Sequence, residues 1–270
     1  KVGGGAICGR CLGTGTSGGA TSEWTIKTFI RRFVVGDVFM VASGKGGVGK
    51  TTLCAMLGSQ FARMDKTVVM LDTDFGLRNL DLYFHLENKI IYNLVDVLKG
   101  VCSYRQALLP LDSDRTFYIM PGSRNYDFSL PEDAFSCLIE KLKAQFDIVL
   151  IDTPAGITPI HQAMFPYVDQ ALVVVTMSQA SLADALSFCH VLQKQGLPAR
   201  LIFNHMGPDM AKRRNRSRLQ EMARHAFHAE YLGSLPDMHK KCAMPSDFLP
   251  RGKEILPICR NILMPAKETE

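Results

Sequence analysis

The segment Ser43-Gly44-Lys45-Gly46-Gly47-Val48-Gly49-Lys50-Thr51-Thr52 constrains this chain more than any other. From Gly44 through Thr51 it satisfies the pattern G-x-x-x-x-G-K-[ST] in full. The apolar run Val38-Phe39-Met40-Val41-Ala42 leads into it, and Leu53-Cys54-Ala55-Met56-Leu57 leads out, so the pattern sits between a strand and a helix. Glycines let the backbone curl with no Cβ in the way, and successive N–H groups then point inward, a concavity that suits phosphate oxygens. A helix beginning near Lys50 adds the positive end of its dipole at the same place. Lys50 is placed to reach the β- and γ-phosphates of a nucleotide, and the Thr51 hydroxyl to ligate Mg²⁺. Residues 44–52 therefore read as a nucleotide site.

At 270 residues and 47% hydrophobic, the chain is long enough to bury a full core, and one large α/β domain is the expected arrangement. Its apolar runs are too short to span a bilayer. The eight cysteines are scattered, mostly single within apolar stretches, and read as reduced core residues of a cytosolic protein. The net charge of +5 is uneven: five basic residues against Glu23 give residues 1–34 a charge of +4, leaving the remainder at +1. Overall basicity is therefore no argument for a nucleic-acid partner.

Beyond the glycine loop, two further apolar runs end in acid. Thr67-Val68-Val69-Met70-Leu71 is short and β-branched, reads as a buried parallel strand, and runs into Asp72-Thr73-Asp74. Ile148-Val149-Leu150-Ile151 runs into Asp152. Acidic residues just past the carboxyl ends of strands beside a phosphate loop sit where Mg²⁺ and an attacking water would be. Asp152 in particular has the geometry of a strand that fixes a carboxylate beside the metal. Further strands are expected at 116–120, 171–176 and 200–204, with helices over 50–64 and 131–144 and another opening near Ser181.

Lys45 is a second lysine inside the loop, and K-G-G-x-G-K-T-T is the deviant Walker A sequence. With it the chain resembles the ParA/MinD family of ATPases. Asp72-Thr73-Asp74-Phe75-Gly76-Leu77-Arg78-Asn79-Leu80-Asp81 is similar to the switch I segment of its MinD members, and Asp152-Thr153-Pro154-Ala155-Gly156 to switch II. The resemblance continues through Ile91 to Gly100 and through Glu230 to Asp237. It implies a doubly wound, mostly parallel α/β P-loop NTPase domain over 35–260 that binds ATP and Mg²⁺ and hydrolyses ATP. It further implies that Lys45 crosses to a partner subunit's phosphates in an ATP-bound homodimer. By the same resemblance Asp74 orients or activates water, Asp72 supports the metal shell alongside Thr51 and Asp152, and the N–H of Gly156 swings toward the γ-phosphate. Asn204 is implied to hydrogen-bond the adenine edge, with Pro236 and Asp237 in the loop closing over the base. Implied partners are MinE- or MinC-like regulators and an anionic membrane surface, with the protein peripheral at the inner face of the cell membrane. The family usually has T-x-P-E where this chain has Thr176-Met177-Ser178-Gln179, a departure in the region an activator uses.

The ends of the chain fit that pattern least. Residues 3–20 are rich in glycine, serine and threonine and are expected to be flexible. Cys8-Gly9-Arg10-Cys11 resembles one zinc half-site of a DnaJ-type domain, but four ligands are needed and no second pair follows. Ile26, Phe29, Ile30 and Phe33 share one face of a short basic helix. That segment reads as a membrane-contacting helix, as a helix packed on the core or, since family members begin near Val35, as upstream sequence outside the native protein. Residues 261–270 read as a short tail in place of the family's long helix and amphipathic end. The run Lys212-Arg213-Arg214-Asn215-Arg216-Ser217-Arg218 reads as a solvated loop and helix start, with DNA phosphate or anionic lipid as its functional alternatives.

Three other readings share the loop. A ParA-type partitioning or flagellar-number ATPase would have the same chemistry and another cargo. An iron–sulfur reductase of the nitrogenase iron-protein type would need cysteines that do not follow Gly156. A scaffold that binds ATP without hydrolysing it is opposed by the intact loop and its three aspartates.

Overall fold

In a computed structural model of the chain, residues 35–124, 131–207, 215–237 and 252–264 are described. The N-terminal extension 1–34, with its cysteine pair and amphipathic segment, lies outside them, as do residues 212–214 of the basic run and 265–270 of the tail.

The apolar runs form one eight-stranded sheet in the order β3-β4-β2-β5-β1-β6-β7-β8. The strands are β1 (Asp37–Ala42), β2 (Val68–Asp72), β3 (Leu109–Pro110), β4 (Phe117–Met120), β5 (Ile148–Asp152), β6 (Gln170–Val175), β7 (Ala199–Met206) and β8 (Glu230–Pro236). All pair in parallel except the two-residue edge strand β3, which runs antiparallel to β4. A parallel sheet must be covered on both faces, which is why β2 and β5 are buried at every position. The period-two alternation divides the core into two clusters. Val38, Met40 and Ala42 of β1 pack into one, and Phe39 and Val41 into the other.

Among the described residues eight α-helices connect and cover the strands: α1 (Lys50–Ala62), α2 (Leu94–Leu98), α3 (Tyr104–Ala107), α4 (Glu132–Lys143), α5 (Pro159–Met164), α6 (Gln179–Lys194), α7 (Arg216–Phe227) and α8 (Gly252–Ile262). In α4, Phe135, Leu138, Ile139 and Leu142 are buried at helical spacing, with Glu132 and Asp133 in the first turn and Lys141 and Lys143 in the last. By contrast α1 buries ten of its thirteen residues, from Lys50 to Phe61, because it lies under the glycine loop against the sheet.

The sequence gives no expectation of α8. Pro257 lies inside it and removes one backbone donor. Ile255, Ile258, Cys259 and Ile262 nonetheless fall on one face and are all buried against α1 and β8. Tertiary burial outweighs the local signal there.

Candidate nucleotide site

Strand order puts the three motif-bearing strand ends side by side. β5 lies between β2 and β1, with Asp72 opposite Asp152 and Val41 opposite Asp152 in register. Two threonines lace these ends together. The N–H and hydroxyl of Thr73 both donate to the Asp152 carbonyl, at 2.9 and 2.7 Å, and the Thr153 hydroxyl donates to the Val41 carbonyl at 3.0 Å. Acidic residues 80 positions apart thus become neighbours at the carboxyl edge of the sheet, where ligands of such folds bind.

The glycine loop arches over this edge. Gly49 takes φ +84°, a conformation that costs a side-chain-bearing residue, and the Asn204 amide packs closely against it. Asn204 Nδ2 donates to the Val48 carbonyl at 2.8 Å, fixing the loop to the end of β7. Pro236 and Asp237 sit at the end of β8, where Asp237 Oδ1 is 3.4 Å from His205 Nδ1 and its N–H donates to the Met206 carbonyl at 3.1 Å.

Under the loop, the Lys50 ammonium is buried and lies 3.4 Å from Asp152 Oδ1. The Thr51 side chain, next along the helix, helps hold the Asp152 carboxyl down. Asp72 accepts from the N–H groups of Asp74 at 3.0 Å and Leu80 at 3.3 Å. Burial pushes the Asp72 carboxyl well above the usual carboxylate range, and the neighbouring Asp152 pushes it further. Burial also raises Asp152, against the opposing charge of Lys50, and raises the half-buried Asp74. Asp74 and Asp152 share the charge of one buried lysine while Asp72 stands beside Asp152, a crowding of acid that a divalent cation would relieve.

Among the described residues no three His, Cys, Asp or Glu side chains come close enough to hold a metal by themselves. That suits Mg²⁺, which keeps several waters and takes one or two protein oxygens together with substrate phosphates. Thr51 and Asp152, with Asp72 behind them, fit such a site.

A cavity of about 450 Å³ opens above these groups, lined by Ser43, Lys45, Gly46, Gly47, Gly49, Lys50, Thr51, Thr52, Asp74 and Ala155 and closed on one side by Leu77, Asn79, Leu82 and Tyr83. Lys45 is exposed on its rim. The structure brings residues 44–52 and Asp74 to the cavity and puts Asp72 and Asp152 beneath it, while Asn204, Pro236 and Asp237 lie apart from its lining. The N–H of Gly156 donates to the Ser43 carbonyl at 2.9 Å, with Gly156 at φ +78°.

Sequence reasoning missed Tyr83. Its hydroxyl is 2.5 Å from Thr52 Oγ1, 31 residues away, and Phe84 beside it stacks edge-on against Phe117. No motif marks Tyr83; it is one aromatic in a short 3₁₀ turn, Leu80–Phe84. His161 was also unmarked. It is fully buried, and its pKa is lowered from 6.5 to about 4 by burial and then by the charge of Lys50. The unfolded chain therefore takes up this proton first as pH falls. Stabilisation present above pH 6.5 is lost on the way to pH 4, and amounts to about 3 kcal/mol for a shift of this size. Burial of Asp72 and Asp152 works in the opposite sense, so the comparison of wild type with His161→Phe isolates the effect. Urea midpoints should fall more steeply between pH 7 and pH 4.5 in wild type, by about 2 kcal/mol in unfolding free energy; parallel pH dependences would refute the assignment.

Comparison with known proteins agrees with the geometry. A family model described as the CobQ/CobB/MinD/ParA nucleotide binding domain matches residues 39–250. The septum site-determining protein MinD of Bacillus subtilis (strain 168) is 36% identical over 210 residues, 75% of this chain and 77% of its own length. MinD of Synechocystis is 34% identical over 205 residues, with the same two shares. Among solved structures, a chain of the MinC:MinD cell division protein complex of Aquifex aeolicus superposes with a TM-score of 0.71 at 30% identity, covering 87% of this chain and 100% of that one. A plasmid partition protein of Borrelia burgdorferi, at 18% identity and TM-score 0.65, shares the fold over 84% of this chain and 98% of its own. The chain belongs to the CobQ/CobB/MinD/ParA nucleotide-binding family, among its MinD-like septum site-determining members.

Proposed function

We propose that the protein is a Mg²⁺-dependent ATP hydrolase whose ATP-bound homodimer is the form that associates with a surface, in division-site placement. The observation that carries this reading is the pairing of two lysines with one cavity: Lys50 buried at 3.4 Å from Asp152, and Lys45 exposed on the rim. Lys50 and the loop N–H groups bind the triphosphate, and Lys45 is free to reach across to a second copy's phosphates. Exposed apolar side chains on both acidic loops, Leu77 at 57% and Ile157 at 42%, support burial of this mouth against a partner. Asp74, half-buried and lining the cavity, orients the attacking water and takes its proton. When bound, Mg²⁺ supplies charge neutralisation of the β- and γ-oxygens.

A MinC-like regulator is the proposed protein partner, by analogy with the MinC:MinD complex. No helix among the described residues is long and apolar enough to cross a membrane; the membrane association proposed is peripheral, as the resemblance implies. A ParA-type role on DNA draws on α7, where Arg216, Arg218 and Arg224 are exposed. A salt-dependent shift of DNA by the ATP-bound protein would favour it over liposome binding.

Light scattering and phosphate release with ATP and Mg²⁺ test the reading. Wild type should dimerise and turn over; Lys45→Ala should remain monomeric. Asp74→Ala should keep the dimer while hydrolysis falls by about 100-fold. A monomeric wild type, with Lys45→Ala consuming ATP at the same rate, would remove the dimer from the mechanism.

A further inference from the structure

The loop between β5 and α5, residues 153–158, is anchored by one side chain at both of its ends. Thr158 caps α5, and its N–H donates to His161 Nδ1 at 3.3 Å, with its hydroxyl 2.8 Å from the same nitrogen. A backbone N–H can only donate, so Nδ1 accepts and the ring proton is on Nε2. Nε2 then donates to Thr153 Oγ1 at 3.0 Å, and the hydrogen of that hydroxyl goes to the Val41 carbonyl at 3.0 Å. A single imidazole therefore joins the last residue of the loop to its first, and through it to β1. The ring is wholly buried and lies edge-on to Phe188 of α6, with centroids 5.4 Å apart.

Neither a packing role nor a capping role accounts for this arrangement. An apolar side chain would fill the space against Phe188 without two buried nitrogens to satisfy. A capping residue would use Nδ1 alone. What remains is Nε2 reaching back eight residues to Thr153. Between the two anchors the crown of the loop is held to the glycine loop through Gly156 N–H and the Ser43 carbonyl, at 2.9 Å. That bond must open before the amide can meet a phosphate.

We propose that His161 is a positioning residue that staples both ends of the loop 153–158, leaving only its crown, from Pro154 to Ile157, to move against a bound nucleotide. The proposal deepens the ATPase reading and rests on it for its kinetic consequence. The staple keeps Asp152 in register with Asp72 while Gly156 exchanges the Ser43 carbonyl for phosphate. Its loss lets the whole segment wander, which slows the chemical step and leaves nucleotide binding, made by the glycine loop, largely intact.

The test uses the full chain as wild type, His161→Phe, Thr153→Val, Thr153→Ser and the His161→Phe/Thr153→Val double variant. His161→Phe and Thr153→Val should each lower kcat about tenfold with KM changed less than about twofold, and the double variant should be no worse than either. Thr153→Ser, which restores the hydroxyl, should recover most of the turnover. Independently of turnover, amide exchange within 153–158 of the nucleotide-free protein should be about tenfold faster in His161→Phe, with β1 and β5 unchanged. Should His161→Phe fail to fold, the ring ¹⁵N shifts of wild type decide: a proton on Nε2 supports the staple and one on Nδ1 refutes it. Unchanged exchange in His161→Phe, or kcat losses that multiply in the double variant, would also overturn it. A wild type that shows the staple by exchange and tautomer yet hydrolyses no ATP would sink the ATPase reading alone.

Discussion

Lys50→Ala is expected to abolish nucleotide binding, raising the dissociation constant for ATP by about 100-fold or more. The lysine sits at the first position of α1, buried beneath the glycine loop, so an ammonium held there meets phosphate out of bulk water. Such charge-assisted contacts are roughly twice as strong as neutral ones and strengthen further where water is excluded. A second effect adds to the first. Without Lys50, the carboxyls of Asp74 and Asp152 lose the positive charge that now offsets their burial, and an incoming triphosphate meets an acidic wall. Titration of a fluorescent ATP analogue reads the affinity. A dissociation constant within tenfold of wild type would show that the loop N–H groups suffice, and would take Lys50 out of its proposed role.

The largest effect on stability is expected far from the cavity, at Arg200. This arginine is 1% exposed at the start of β7, and its guanidinium serves three elements at once. Nε pairs with Glu230 of β8 at 2.9 Å, one terminal nitrogen donates to Gln170 of β6 at 3.1 Å and to the Ile262 carbonyl at 3.0 Å, and the other to the Asn261 carbonyl at 2.7 Å. Those two carbonyls close the C-terminal end of α8, so this one side chain fastens the helix end to the sheet, alongside the Asn261 amide that donates to the Leu232 carbonyl at 2.6 Å. Arg200→Ala should cost about 3–5 kcal/mol, because it leaves a carboxylate and two helix-end carbonyls without their donor. Glu230→Ala should cost less, its carboxylate being 22% exposed. Urea unfolding measures both, and hydrogen exchange should show residues 252–262 opening first in Arg200→Ala. A loss below about 1 kcal/mol would mean that water replaces the guanidinium without penalty.

Much of the architecture can be read locally. Val68–Leu71 and Ile148–Ile151 are runs of aliphatic residues ended by acid, and a strand buried on both faces needs nothing else to announce itself. The structure puts them within a residue of the expected limits, as β2 and β5. Helix α8 escaped notice because Pro257 contradicts the helical pattern locally, while the burial of Ile255 and Ile258 that overrides it depends on α1, about 200 residues earlier in the chain. Tyr83 and His161 escaped for a related reason. Each meets its partner through the fold, and neither belongs to a spacing that chemistry requires.

By itself, then, the order of residues determined the glycine loop, the strands that end in acid beside it and the family to which the chain belongs. These rest on φ freedom, apolar periodicity and short-range spacing, all properties of contiguous residues. The tertiary structure alone decided that Asp72 lies opposite Asp152, that Asn204 spends its amide on Val48, that Gly156 rests against Ser43 and that one imidazole closes a loop at both ends. Those contacts join residues brought together by strand order and helix packing, and a hydrogen bond between distant segments leaves no periodic trace in the sequence that forms it.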